Sequence, residues 1–323
     1  MSDQDRSPPG SDWGLESEST PQGSADQLTR FMFDTFPVRG HYVHLDASWR
    51  ALIAHQEYPP LIREVLAEAM AATALLVATL KFDGVLTLQM QGDGPMHLLV
   101  VQGTAKQSLR GVARYTREPG SSDLRELLGH GQMTVTLENA DRSSRYQGVV
   151  PLVGARIAEC LEEYFRRSEQ LPSRLWLSAT PTSVAGLLLQ RLPVGSSASS
   201  DDDLNELAEA DDDWKRVVML AQTVNAQELL ELSPAHLLHR LFNEEVLRVY
   251  ESVPVFFQCV CSRDRVANIL RSLGPVEVQS ILDEQGQVEV RCEFCSRAFS
   301  FDAVDALAVC APASSVLGTA GPQ

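Results

Sequence analysis

Four cysteines in the last quarter of the chain constrain its fold more than any other feature. Cys259 and Cys261 form a CVC pair, and after thirty intervening residues Cys292 and Cys295 form a CEFC pair. Zinc takes four ligands with Zn–S bonds of about 2.3 Å, and two short-range pairs joined by a folded excursion can supply that tetrahedron. The spacing therefore predicts one four-cysteine zinc site. The alternative is two disulfides in an exported protein.

The N-terminal sequence argues against export. It begins MSDQDRSPPGSDWG, which is acidic and polar where a signal peptide has a basic and then an apolar run. The longest nonpolar run, from 65 to 80, is interrupted by Glu68 and is shorter than the roughly 20 residues that span a bilayer. We therefore expect a cytoplasmic chain without a transmembrane segment, whose six cysteines stay reduced at rest. Reduced, clustered thiols are metal ligands or redox centres more often than crosslinks.

Charge and motif content exclude other classes of protein. The formal net charge is -16, whereas a protein that binds nucleic acid or an anionic membrane needs a basic face. No Ser/His/Asp triad or carboxylate pair stands out. We therefore predict no enzyme, no nucleic-acid partner and no membrane partner.

The pattern of apolar residues predicts an α+β fold with several parts. Residues 1–25 hold too few large apolar side chains to fold, so we expect a disordered extension there. Residues 26–193 mix alternating and helical periods, as in an α+β domain with a mixed sheet and helices. The segments expected in this domain are strands within 28–46, a helix over 60–80, a hairpin over 85–101 turning at Asp93-Gly94, strands near 105–115, 132–138 and 145–151, a helix over 154–168 and an apolar stretch over 174–192.

Residues 194–253 are expected to form an acidic spacer and a helical linker. Between Asp201 and Asp213 there are eight acidic residues and no basic one, which indicates a solvated spacer. A helix is predicted to begin at Trp214, and a second one at Pro234 with Ser233 as its cap. Helices shorter than about 12 to 15 residues rarely persist alone, so these need a neighbour for stability.

Residues 254–310 are predicted to form the zinc-binding unit, followed by a flexible tail over 311–323. Ser262 is placed to cap a helix that stops at Gly274-Pro275. A further helix over 276–282 should lead into a hairpin turning at 284–286, whose second strand delivers CEFC. A unit this small needs a metal or a crosslink to fold independently.

The chemistry of the thiols suggests a switch. A zinc-bound cysteine is a thiolate, which oxidants attack, and each cysteine has a possible resolving partner two or three positions away. Structural zinc contributes about 10 to 16 kcal/mol of folding energy in small domains, against a net stability of about 5 to 15 kcal/mol. Oxidation should therefore release the metal, unfold the unit and leave the helices at 214–250 unsupported.

Several stretches resemble the redox-regulated 33 kDa chaperonin family, heat shock protein 33, over residues 27 to 309. The resemblance implies an ATP-independent holding chaperone (holdase) of the bacterial cytoplasm with an N-terminal α+β domain, a helical linker and a C-terminal zinc domain. The N-terminal extension and the acidic insert at 201–213 look peculiar to this chain. The stretches that carry the resemblance are LKFDGVLTLQMQGDGP, GHGQMTVTLEN, RYQGVVPLVG, AECLEEYFRRSEQLPSRLWL, GLLLQRLP, HRLFNEE, CVCSRDRV and CEFCSRAFSFD.

The same resemblance implies a mechanism. In that family one zinc ion per chain is held by the four cysteines in the inactive, reduced monomer. Oxidation would pair Cys259 with Cys261 and Cys292 with Cys295, after which zinc leaves and the linker unfolds. The active form is expected to be a homodimer that binds unfolding or oxidatively damaged client proteins and prevents their aggregation during oxidative stress or heat shock.

Two other functions compete with this one. CEFC could serve a thiol-disulfide oxidoreductase, although reactive CxxC motifs usually begin a helix. A permanent zinc ribbon could serve an adaptor protein. Among the remaining candidates, Cys160 is expected to be a buried, inert thiol, Cys310 an exposed bystander in the tail, and His236 and His239 to have surface or packing roles.

Overall fold

The computed structural model describes residues 26–141, 144–193 and 201–310, of which 201–210 are described as backbone. The predicted extension at 1–25, the start of the spacer at 194–200 and the tail at 311–323 lie outside the described residues. In chain order the elements are β1 (Gln27–Phe33), β2 (Val38–Leu45), α1 (Ala47–Ile53), α2 (Pro60–Thr79), β3 (Gly84–Gln91), β4 (Met96–Thr104), β5 (Ser108–Tyr115), α3 (Leu124–Leu128), β6 (Gln132–Asn139), β7 (Arg145–Pro151), α4 (Ile157–Tyr164), a π-helical turn (Phe165–Glu169), β8 (Ser173–Ala179), β9 (Val184–Arg191), α5 (Asp201–Ala221), α6 (Ala226–Glu231), α7 (Pro234–Phe242), β10 (Leu247–Val249), β11 (Val253–Pro254), β12 (Phe256–Phe257), α8 (Arg263–Leu273), α9 (Pro275–Gln285), β13 (Val288–Arg291), β14 (Ala298–Phe301) and α10 (Ala303–Cys310).

Two larger sheets build the N-terminal part. The first sheet has the order β10-β1-β2-β9-β8, with β11 also paired to β1, and its pairs are antiparallel. The second sheet has the order β12-β5-β4-β3-β6-β7, in which β12 joins β5 in parallel and the other pairs are antiparallel. Sheets and helices in this mixture confirm the predicted α+β fold class.

Helix α2 lies between the two sheets and contacts both. Its predicted start is confirmed, with Pro60 in the first turn, where its missing N–H costs nothing. Alanine is frequent along α2, and small side chains let the strands approach closely. At Gly103 on β4, an added Cβ would lie 2.8 Å from Val77 Cγ2, so this strand needs glycine at the contact. The nonpolar run at 65–80 is therefore a core helix.

A second hydrophobic core covers the opposite face of the first sheet. Aromatic and aliphatic side chains of β1, β2 and β9 pack there against α5, α6 and α7. Tyr42 on β2 donates a hydrogen bond to the Leu229 carbonyl at 2.9 Å, which ties α6 to the sheet. Ser233 caps α7 as predicted, with Pro234 in the first turn. These short helices have the neighbour that their length requires.

The prediction for the acidic run was wrong. A helix was expected to begin at Trp214, yet α5 begins at Asp201, inside the run. Acidic side chains near a helix N-terminus interact favourably with the helix dipole. At the end of the run, Asp211 pairs with Lys215 at 2.7 Å and with Arg191 at 2.9 Å. Arg191, which is distant in sequence, and Lys215, one helical turn further along α5, therefore offset the repulsion between the acidic side chains of the run.

The C-terminal unit has a small core of its own, formed by α8, α9, α10 and the β13–β14 hairpin. Ser262 caps α8, and Gly274 ends it, as predicted. The hairpin predicted at 284–286 was wrong, because Glu284 and Gln285 belong to α9, and Gly286, with φ of 74°, ends that helix. The VEV strand is instead the first strand of the hairpin, and CEFC lies in the turn that follows it.

Candidate metal centre

The two cysteine pairs come from different local structures. Cys259 and Cys261 follow the short edge strand β12, whereas Cys292 and Cys295 lie in the turn between β13 and β14. The turn is closed by two backbone hydrogen bonds, from Cys292 N to Arg297 O at 2.9 Å and from Ser296 N to Cys292 O at 2.8 Å. Ser296 adopts φ of 55°, which lets the chain reverse within this turn. We call residues 292–296 the knuckle.

The fold brings the four thiols into one cluster. Their Sγ atoms all lie within 4.8 Å of one another. Cys259 and Cys292 are 3.5 Å apart, and Cys261 and Cys295 are 3.4 Å apart. Four sulfurs around one zinc ion at about 2.3 Å would be separated by a little under 4 Å. These cysteines could therefore bind a metal ion, and among the described residues they form the one group of His, Cys, Asp or Glu side chains with suitable spacing.

Electrostatics in the cluster favour a bound cation. Burial opposes ionisation of Cys259, but hydrogen bonds from the Cys261 backbone and from the thiols of Cys295 and Cys292 lower its pKa to about 7. Burial, together with hydrogen bonds to Cys295 and Cys259, raises the pKa of Cys261. Burial is also the main cause that raises the pKa of Cys295. The Cys259 thiolate is thus favoured while Cys261 and Cys295 tend to keep their protons, so four thiolates together would need a metal cation.

The remaining sulfur and imidazole candidates lie outside the cluster. Cys160 is fully buried on α4, and burial raises the pKa of its thiol, in agreement with the inert role predicted for it. Cys310 lies outside the cluster, as predicted, but the expected exposed position in the tail was wrong, because Cys310 ends α10 half-buried with its Sγ 3.6 Å from the Leu270 carbonyl oxygen. His236 and His239 lie on α7.

The knuckle contacts the N-terminal part through side chains that the sequence reasoning missed. Glu293 forms an ion pair with Arg114 on β5. The ring of Phe294 lies under the Arg110 guanidinium, 4.2 Å from its centroid to Cζ. Ser296 Oγ donates to the carbonyl of His55 at 2.9 Å. The only sequence signal for these contacts is that CEFC carries an acidic and an aromatic residue between its two cysteines. A turn that only holds a metal ion requires neither of them.

The segment before the first cysteine pair is also held by the N-terminal part. Strand β12 adds to the edge of β5, and Gln258 N donates to the Leu109 carbonyl at 2.9 Å. The ring of Phe257 lies 5.9 Å from that of His55. Cys259 is the next residue after this pairing ends. Both halves of the thiol cluster are therefore anchored near β5.

The chemistry available to this arrangement is that of thiols. Four sulfurs in contact can coordinate a soft metal ion when deprotonated, or form disulfides when oxidised. CEFC follows a strand and lies in a turn rather than at a helix N-terminus, so it lacks the helix dipole that activates oxidoreductase thiols.

Among the described residues, no helix combines the length and the apolar content that crossing a bilayer requires.

Comparison with known proteins identifies the family. The model of the family described as Hsp33 protein matches residues 26–302. The 33 kDa chaperonin of Nitrosococcus oceani is 45% identical over 280 residues, which cover 87% of this chain and 92% of the relative. The 33 kDa chaperonin of Shewanella denitrificans is 44% identical over 287 residues, covering 88% and 95% of the two chains.

A solved structure has the same fold. The crystal structure of the 33 kDa chaperonin (heat shock protein 33 homologue) of Thermotoga maritima superposes with a TM-score of 0.74. The alignment covers 88% of this chain and 98% of that one, at 24% identity. The match to the family model and the identity to these relatives show that this chain belongs to the Hsp33 family of chaperones.

Proposed function

We propose that this chain is an ATP-independent holdase of the cytoplasm, inactive while its four cysteines are reduced and metal-bound, and activated when oxidants convert them to disulfides. The observation that carries the proposal is the cluster of four thiols within 4.8 Å, attached to both the linker and the N-terminal part. In this proposal residues 26–193 bind clients, residues 194–253 cover the client surface, and residues 254–310 sense the oxidant.

Cys259, Cys261, Cys292 and Cys295 would hold one zinc ion. Zinc, when bound, would keep these sulfurs deprotonated and join two segments between which the chain runs through α8, α9 and β13. The residues themselves supply a complete donor set, and neither His236 nor His239 is needed. The hydrophobic core beneath the site is small, so the cluster contributes much of the stability of this unit.

The redox step requires a peroxide or hypochlorous acid as oxidant. With hydrogen peroxide, one thiolate attacks an oxygen, the O–O bond breaks, and a sulfenic acid and hydroxide form. A second thiol then attacks that sulfur, an S–S bond forms, and the oxygen leaves as water. Two electrons pass from the two sulfurs to one peroxide. Each disulfide removes two donors from the set of four.

The pairing that we propose is Cys259 with Cys261 and Cys292 with Cys295. Sγ–Sγ contacts of 3.5 Å and 3.4 Å join the opposite pairs, Cys259 with Cys292 and Cys261 with Cys295. Those cross-pairs would keep the knuckle tied to the β12 segment, and the unit would stay closed. Disulfides between cysteines that are close in sequence would instead leave the knuckle and the β12 segment without a covalent link between them. Peptide mapping of the oxidised chain distinguishes the two pairings.

Loss of the metal from the cluster would destabilise the linker helices through the segment that joins them to the cluster. From β10 to β12 this segment adds to the edges of both sheets, and it connects α7 directly to Cys259. The contacts of the knuckle with Arg110 and Arg114 lie on the strand that β12 pairs with. When the knuckle leaves, β12 loses a neighbour, and the short helices α6 and α7 lose the tether at their C-terminal end.

Unfolding of the linker would uncover an apolar surface suited to unfolded proteins. Buried side chains from β1, β2, β9 and the turn between β1 and β2 face the linker helices and would become exposed. The surface is formed by Phe31, Phe33, Phe36, Val38, Tyr42, Ala185, Leu187 and Leu189. Such a surface binds exposed apolar segments without reading their sequence, as a holdase requires.

The test is aggregation of a heat-denatured client, followed by light scattering with reduced protein and with protein oxidised by peroxide. We expect suppression by the oxidised form alone, at stoichiometric amounts, with zinc release followed by a dye in the same samples. A matched control is Cys310→Ser, which removes a thiol outside the cluster and should behave as the wild type. Equal protection by the reduced form, or retention of zinc through oxidation, would overturn the proposal. Size-exclusion chromatography checks the expected change from monomer to dimer.

A further inference from the structure

A cavity of about 420 Å³ lies beyond the C-terminal end of α2 and is lined by three cationic side chains, Arg30, Arg39 and Lys81. We propose that this cavity is a binding site for a small phosphate monoester, with the cations holding the phosphate and His41 accepting a hydrogen bond from its P–OH group. The site is separate from the thiol cluster, and Phe31 of the linker-covered face and Tyr250, next to β10, also line it.

The strand register explains why these side chains meet. Arg30 on β1 pairs with His41 on β2, and Met32 pairs with Arg39, so all four project from the same face. Farther along the two strands, the pair Leu28 and Val43 belongs to the core around α2. Because α2 ends at Thr79, the part of the face that carries the arginines extends past the helix and stays open.

The charges in this cavity are unbalanced. Among the described residues, Arg30, Arg39 and Lys81 form no ion pair, and the described lining of the cavity contains no carboxylate. Arg39 donates only to the neutral side chain of Gln190, at 3.1 Å and 2.9 Å. Cations near a helix C-terminus complement the helix dipole, but that effect is equivalent to about half a charge and does not balance three cations. Arg30 also lies over the Tyr250 ring, 5.9 Å from its centroid, but this contact neutralises no charge. In a chain of net charge -16, such a concentration of positive charge without carboxylate partners favours an anion.

His41 adds a second, independent requirement. Its side chain is only 3% exposed, and Nδ1 has no hydrogen-bond partner among the described residues. Burial, and then repulsion from Arg39 and Arg30, lowers the pKa of His41 to about 3, so the ring is neutral at physiological pH. Nδ1 is the ring nitrogen without a partner, and with the ring proton on Nε2 it is a hydrogen-bond acceptor. A buried acceptor without a donor costs about 1 to 3 kcal/mol, which a ligand O–H would recover.

These features together select the ligand class. An anion alone would satisfy the arginines, but only a protonated oxyanion also donates to His41. A phosphate monoester has a second pKa near 6 and therefore carries both negative charge and an O–H group around neutral pH. Met32, Leu80 and Leu192 line the rest of the cavity and provide room for a short apolar group on the ester.

The test uses phenyl phosphate and phenyl sulfate as probes, titrated calorimetrically into the full-length reduced protein at pH 6. Phenyl sulfate has a similar shape and negative charge but no acidic O–H. We expect saturable binding of phenyl phosphate and at least tenfold weaker binding of phenyl sulfate. Absence of saturable binding, or equal affinity for the two probes, would overturn the proposal.

Variants locate the site. The double substitution Arg30→Gln and Arg39→Gln should weaken phenyl phosphate binding at least tenfold, whereas Arg248→Gln, on β10 and paired with Asp34, should leave it unchanged. His41→Phe should remove the preference for phosphate over sulfate. If the double variant fails to fold, Lys81→Gln on the exposed loop tests the same electrostatics and should weaken binding. Unchanged affinity in a folded cavity variant would refute the assignment.

Discussion

Glu68 is a carboxyl group on the core helix α2, and the residue is only 8% exposed. Burial raises its pKa to about 7, with attraction by Arg156 opposing the shift and repulsion by Glu64 adding to it. In the unfolded chain the same group titrates near its ordinary value of 4.5. From about pH 4.5 to 7 the folded state therefore binds more protons than the unfolded state. Stability falls as pH rises through this window and then levels off.

The magnitude follows from the shift. Raising the pKa from 4.5 to about 7 costs about 3 kcal/mol of folding free energy once both states are ionised. Of this, about 2 kcal/mol should be lost between pH 5.5 and pH 8.5, a range that avoids precipitation near the isoelectric point of 4.8. Glu68→Gln keeps the shape of the protonated side chain and removes its titration. We expect this variant to lack that pH dependence and to be the more stable protein at pH 8.5.

The assay is urea unfolding of the full reduced chain, followed by tryptophan fluorescence, at several pH values between 5.5 and 8.5. Trp49 is fully buried in the core around α2 and reports on its unfolding. Glu57→Gln, in the exposed loop before α2, is the matched control and should keep the pH dependence of the wild type. If Glu68→Gln loses stability with rising pH as steeply as the wild type, the assignment of a buried, protonated carboxyl is refuted.

Three further substitutions test the linker, the knuckle and the C-terminal unit. Tyr42→Phe removes the hydrogen bond to Leu229 and should destabilise the linker helices by about 1 kcal/mol, seen as faster hydrogen exchange in α6 and α7. Exchange at the wild-type rate would contradict a role for that bond. Phe294→Leu removes the ring beneath Arg110, so the knuckle should dissociate more easily and zinc release under peroxide should be faster; an unchanged release rate would show that this contact does not restrain the knuckle. Arg263→Gln removes two hydrogen bonds and a stacking contact between α8 and the rest of its unit, and should lower that unit's stability by about 1 kcal/mol in thermal unfolding followed by circular dichroism. An unchanged melting temperature would count against these surface contacts.

Local signals in the sequence were enough to predict many element boundaries. Pro60 begins α2, Ser233 and Pro234 begin α7, and Ser262 begins α8, because capping depends on residues within one turn. The hairpin of β3 and β4 followed from the turn residues between them. The spacing of the cysteines likewise predicted that four thiols meet, which the structure confirms.

Errors arose where the deciding interaction was distant in sequence. The acidic run was expected to be a spacer because the sequence shows only its mutual repulsion, while the pairing of Asp211 with Arg191 depends on the fold. Helix α1 was not predicted. Its first N–H groups are satisfied by the Asp26 carboxylate, twenty or more residues earlier, so residues within one turn of the helix do not indicate its start. The contacts of the knuckle with β5 join residues that are still farther apart in sequence, and the acidic and aromatic residues inside CEFC do not indicate which residues they contact.

The position of α2 has a consequence for the activation that we propose. The core around α2 and the core under the linker share the first sheet but lie on its two opposite faces. Strand side chains alternate between these faces, so removing one layer leaves the packing of the other intact. In the proposed activation, the chain would therefore unfold its outer layer and keep a rigid scaffold. The scaffold would present a fixed adhesive surface in conditions that unfold neighbouring proteins.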